Sequence, residues 1–179
     1  MKNFTRDPLL MVAKAITWFL IAVMGFAAGF IILATPFVPF NHGRIIAELS
    51  AKGVTAGPEF TATLTIMLLF IAGLLIAAIW FVRLLQKMIN SVEEGDPFAP
   101  VNADRLNRMA WISLSIFIAS FPIGAMVAWV ANIAADAGEN VNAEVDFGGG
   151  ALLLSVVLFI LARVFRHGAA MREDLEGTV

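Results

Sequence analysis

The sequence predicts an all-α fold, a four-helix transmembrane bundle with both chain ends on the same side of a bilayer. Three observations carry this. Of 179 residues, 60% are hydrophobic and only 15% charged, against about a quarter charged in soluble domains. Four apolar stretches are each long enough to cross about 30 Å of hydrocarbon, which takes about 20 helical residues. Lysine and arginine divide ten to two between the two sets of flanks, and cytoplasmic flanks carry such an excess. The chain reads as one integral membrane domain over residues 1–179.

The first span covers residues 15–38. Basic residues precede it in "MKNFTRDPLL", as in a signal peptide. The run is too long for a signal core and no small-residue cleavage site ends it, so a retained anchor is expected. Within it, "GFAAG" sets Gly25 and Gly29 four apart, with Ala22 and Ala28 nearby. Such a small-residue face suits close helix contact, either inside the bundle or as a homodimer seam. Pro36 falls near the end of this span. In the outer loop, residues 39–59, Ile45, Ile46 and Leu49 recur at helical spacing and predict a short helix lying on the interface.

The second span covers 60–81, and its helix continues through "VRLLQKMINSVEE". Leu84, Leu85, Met88 and Val92 form an apolar stripe along that extension. A cytoplasmic elbow over 82–109 follows, centred on "SVEEGDPFAP". Gly95 is suited to the left-handed conformation that ends a helix. Pro97 forces Asp96 out of helical geometry. Asn102 is expected to be the N-cap of a helix starting at Ala103, with Asp104 in its first turn. Phe98 is an apolar residue among turn formers. It either tucks back onto the helical hairpin or is offered to a partner.

The third span covers 110–133, with Pro122 near its centre, where a kink is expected. The outer loop 134–148 contains four acids, Asp136, Glu139, Glu144 and Asp146. Their spacing lacks the alternating acids and the glycine of a calcium loop. A solvated loop facing Arg44 and Lys52 is expected instead. The fourth span, 149–165, is the shortest, and its helix is expected to borrow a turn at one end.

Orientation follows from the flanks. Lys2, Arg6 and Lys14 precede the first span. Arg83, Lys87, Arg105 and Arg108 lie in the elbow, and Arg163, Arg166 and Arg172 close the chain. Only Arg44 and Lys52 fall on the other side. Both termini and the elbow are therefore expected in the cytoplasm, with the protein in a bacterial inner membrane. Trp18, Trp80 and Trp111 mark the cytoplasmic interface and Trp129 the outer one, as amphipathic rings prefer.

The same residues weigh against several function classes. A net charge of −2 argues against direct nucleic-acid binding through bulk charge. With no cysteines there is no thiol catalysis and no cysteine-ligated metal. The two histidines, His42 and His167, are expected on opposite sides, too far apart to share a metal or a haem. No charge sits in the middle of a span, which disfavours a channel, transporter or proton pump. There is no nucleophile elbow, phosphate-cradling loop or buried carboxylate pair, and "DFGGGA" leads from an outer loop into a span, with no kinase elements around it. No enzymatic activity, cofactor or metal is expected.

Four spans, the stretch "VEEGDPFAPVNADRLNRMAW" and the closing "ILARVFRHGAAMREDLEGTV" resemble a bacterial family of small four-helix membrane proteins of unknown function. Its Glu-x-Gly-x-Pro-Phe motif, followed by an asparagine and an arginine-leucine step, corresponds here to Glu93 or Glu94, Gly95, Pro97, Phe98, Asn102 and Arg105–Leu106. The family's tail commonly ends Leu-Thr-Ile or Leu-Thr-Val. Here Glu176 and Gly177 separate Leu175 from Thr178 and Val179. Members are often encoded beside a small helix-turn-helix regulator of the Cro/CI type. The resemblance thus implies a membrane protein that holds or releases a cytoplasmic DNA-binding partner. The expected platform is the elbow, through Gly95, Asp96, Pro97, Phe98, Asn102, Arg105 and Arg108, together with the C-terminal helix extension. The rival expectation is an accessory subunit packed against a larger membrane complex.

Overall fold

The computed structural model describes residues 8–136, 138 and 149–176, with side chains as far as residue 173. Among the described residues six helices follow in order: α1 (Pro8–Ala34), α2 (Phe37–Phe40), α3 (His42–Ala51), α4 (Pro58–Glu93), α5 (Pro100–Asp136) and α6 (Gly149–Glu176). The described residues contain no strand. Four helical segments, α1 continued through α2, α4, α5 and α6, are long and apolar enough to cross a membrane. The chain is accordingly a multi-pass membrane protein. Lys2, Arg6, Glu139, Glu144, Asp146 and the tail from Gly177 to Val179 lie outside the described residues.

Helix ends follow local chemistry. α1 stops at Ala34, four residues short of the expected span end, and Pro36 lies in the break after it. Proline fixes its own backbone, withholds an N–H and disfavours helix at the residue before it. Thr35 closes the end, its backbone N–H and its hydroxyl both donating to the Ile31 carbonyl, at 2.8 and 2.7 Å. The expected helix around Ile45, Ile46 and Leu49 is present as α3. α4 has 36 residues and α5 has 37. At about 1.5 Å per residue each is roughly 54 Å long, well beyond a hydrocarbon core of about 30 Å. α4 does run unbroken through the expected extension, and α5 remains helical across Pro122.

The four long helices pack in sequence order as an open row. α1 lies on α4, α4 on α5, and α5 on α6, while α2 and α3 rest on α4. Consecutive elements of a chain are usually neighbours in space. α1 is thus an outer helix whose one extensive neighbour is α4. Lys14 pairs with Glu93, joining the start of α1 to the end of α4. Arg172 pairs with Asp96, joining the last turns of α6 to the α4–α5 connection. The start of α1, that connection and the end of α6 therefore share one end of the molecule.

α6 is staggered. Ser113 donates to the Ala151 carbonyl at 2.7 Å, so α6 begins level with the first half of α5. From there it passes position 165, the expected end, and reaches Glu176. The borrowed length lies entirely at its C-terminal end. Over this stretch α6 packs along α5, and its side chains meet those of α4 and α5 in one core. The buried core is Leu84 from α4, Leu106, Met109 and Ala110 from α5, and Leu158 and Ala162 from α6. Above α6 a groove between the same two helices stays open. It is a cavity of about 430 Å³ lined by Leu69, Phe70, Gly73, Leu74, Ala77, Ser115, Ile116 and Ala119.

Candidate functional site

The connection between α4 and α5 is built from a helix end, a proline turn and a helix start. Gly95 has φ +82°, a conformation that costs glycine little and other residues more. The Asp96 N–H donates to the Ser91 carbonyl at 3.0 Å and the Gly95 N–H to the Val92 carbonyl at 3.1 Å. This pair of bonds is the Schellman motif, which satisfies carbonyls left over at a helix end. Two residues on, Pro97 prevents the chain from resuming the helix.

α5 then begins at Pro100, and Asn102 is not its N-cap. Proline suits the first helical position, because its missing N–H would have no helical partner there. The helix therefore starts three residues earlier than expected, and Asn102 falls inside the first turn. Its backbone N–H donates to the Ala99 carbonyl at 2.8 Å. Its side chain is fully buried, at 0% exposure. Nδ2 donates to Ser91 Oγ at 2.6 Å and to the Pro97 carbonyl at 2.9 Å. Oδ1 accepts from Arg105 Nη1 at 2.8 Å. The same arginine nitrogen donates to the Lys87 carbonyl at 3.0 Å, and Ser91 Oγ donates to the Met88 carbonyl at 2.8 Å. Asn102 is thus a knot tying α4, the turn and α5 together. Among the described residues no buried side-chain nitrogen or oxygen lacks a partner, as a polar network in an apolar protein requires.

Phe98 leans on α6. Its ring lies 5.2 Å from that of Phe165, tilted by 36°. A Cβ added at Gly168 would sit 3.1 Å from Phe98 Cδ1, so glycine leaves room for the ring. Even so, Phe98 stays 44% exposed. Asp96 holds Arg172, and Asp104 faces Arg166 at 3.4 Å. Between the turn and α6 lies a cavity of about 230 Å³ bordered by Asp96, Phe98, Pro100, Ala169, Arg172 and Glu173.

Of the expected platform residues, Gly95, Asp96, Pro97, Phe98, Asn102 and Arg105 come together. Arg108 is exposed on α5 and makes no bond to the turn. Sequence reasoning missed Ser91, Phe165 and Gly168. Pro100 was the available signal for the helix start, and a glycine within a long helix was the signal for close contact at Gly168.

The small-residue face of α1 does not pack within the row. Ala22, Gly25 and Gly29 are exposed, and a Cβ at either glycine would have nothing within 4 Å. α1 turns Thr17 and Ala28 inward instead. At the far end, His42 Nδ1 lies 2.7 Å from Thr61 Oγ1, while His167 lies on α6, toward the end that holds the turn.

A family model described as "Protein of unknown function (DUF2975)" matches residues 34–179, which include the whole of the turn and every helix from α2 onward. No curated protein and no solved structure matches the chain.

Proposed function

The chain belongs to the DUF2975 family of proteins of unknown function, and on that premise we propose that it is a non-enzymatic platform in a bacterial inner membrane. Its termini and the α4–α5 turn face the cytoplasm. Ten of twelve basic residues flank these segments, and the ion pairs Lys14–Glu93 and Asp96–Arg172 group the segments at one end. The platform is the turn with the C-terminal half of α6. One observation carries this reading: a turn fixed by a buried knot still leaves Phe98 nearly half exposed beside a cavity. A rigid, partly apolar feature with charged neighbours suits recognition of a partner. The partner we favour, from the family resemblance, is a small helix-turn-helix regulator.

Co-purification in mild detergent, with mass identification of what is retained, tests this. A small DNA-binding protein held by the parent and lost by Phe98→Ala supports the platform. Parent protein that retains no such regulator overturns it. The exposed small-residue face of α1 supports the second reading, an accessory subunit of a larger membrane complex. That reading expects a large membrane assembly, lost on Gly25→Leu with Gly29→Leu.

A further inference from the structure

We propose that the cleft between α5 and α6 lined by Asn107, Phe159, Ala162, Arg163, Arg166 and His167, about 390 Å³ in volume, binds the headgroup of an anionic glycerophospholipid. The cleft is graded. Its floor is the apolar pair Phe159 and Ala162, and its other walls are Arg163, Arg166, His167 and the amide of Asn107. A lipid has the same gradient, acyl carbons next to a phosphate that accepts bonds from arginine. Arg163 is exposed and has no acidic partner among the described residues. Among the described residues Arg166 has only the 3.4 Å contact with Asp104, both side chains about two-thirds exposed. Such a pair is worth little and leaves the guanidinium available to a phosphate.

The depth fits as well. Trp111 meets Phe159 edge-on, with centroids 5.4 Å apart, and is 58% exposed. Exposed tryptophans collect where hydrocarbon gives way to headgroups. Asn107 lies one helical turn, about 5.4 Å, further toward the charged end, so the cleft opens at headgroup level. Basic clefts between membrane helices at this level are known lipid sites. The site shares α6 with the platform but not the turn, and it does not depend on the platform reading.

Native mass spectrometry tests it, using the full chain in mild detergent with equal amounts of dioleoylphosphatidylglycerol and dioleoylphosphatidylcholine. The parent is expected to retain the phosphatidylglycerol selectively. Arg163→Gln, which breaks no described ion pair, should lower that retention about fivefold, the equivalent of about 1 kcal/mol for one basic residue at a membrane surface. Arg163→Lys with Arg166→Lys should keep most of it. Arg83→Gln removes an equal charge from the same end on α4 and should change little. Equal retention of both lipids by the parent overturns the proposal, as does an unaltered Arg163→Gln. An equal loss in Arg83→Gln means bulk attraction and no site. Displacement of the lipid by millimolar inorganic phosphate assigns the cleft to a free anion and overturns the lipid.

Discussion

Asn102 Nδ2 donates to Ser91 Oγ at 2.6 Å, joining the first turn of α5 to the last turns of α4. Asn102→Ala strands the Pro97 carbonyl and one bond of Arg105. Each buried group left without a partner costs about 1–3 kcal/mol, so thermal unfolding in detergent should come markedly earlier. Ser91→Ala removes two neutral bonds, one from Asn102 and one to the Met88 carbonyl, and should cost about 0.5–1.5 kcal/mol for each. The double variant should be less damaged than the two single losses summed, with a coupling of about 0.5–3 kcal/mol. Strict additivity would show that the two side chains are adjacent without cooperating.

The clamp on α6 should depend on the aromatic contact more than on charge. The Asp96–Arg172 pair is about half exposed, and exposed pairs are worth about 0–1 kcal/mol. Asp96→Asn should therefore barely change stability. Phe98→Ala loses a ring pair worth about 0.5–1.5 kcal/mol plus some apolar area. It should fall below the roughly 3–5 kcal/mol of a fully buried aromatic. Gly168→Leu puts a side chain where the ring lies and should release the end of α6, read as faster proteolysis after residue 165. Unchanged proteolysis would mean that the ring is not what holds α6.

The turn was the most legible part of this sequence. Gly95, Asp96 and Pro97 act through local backbone chemistry, which short-range reasoning captures. Asn102 was misread because a capping asparagine and a buried one look alike in sequence, and only Pro100 separates them. The stagger of α6 is set by distant partners, Ser113 with Ala151 and Phe98 with Phe165. No spacing within α6 encodes that register. The open row was equally hidden, because a small-residue face reads the same whether it meets a helix or lipid.

Topology can be read with single cysteines, since the natural chain has none. The ten-to-two division of basic residues predicts α3 outside and the end of α6 inside. Gly43 has open space around it, so Gly43→Cys should react with a membrane-impermeant maleimide on intact cells. Ala170→Cys should react only after the cells are opened. The reverse pattern would invert the protein in the membrane, and labelling of both sites on intact cells would break the four-span arrangement.

Gly25→Leu with Gly29→Leu distinguishes a lipid-facing surface from a seam. Both glycines are exposed and a Cβ at either would have nothing within 4 Å, so each leucine starts into open space. Leucine is also the better helix former, by up to about 1 kcal/mol per site. The double variant should therefore unfold in detergent no earlier than the parent. A second α1 seated on this face would need the close backbone approach that only small residues allow. In that case a dimer trapped by crosslinking in native membranes should disappear while the monomer keeps its stability. If the parent gives no crosslinked dimer and the variant matches it, the face meets lipid. A clear fall in monomer stability would contradict the open face itself, since it would require a helix lying against Gly25 and Gly29 within the same chain.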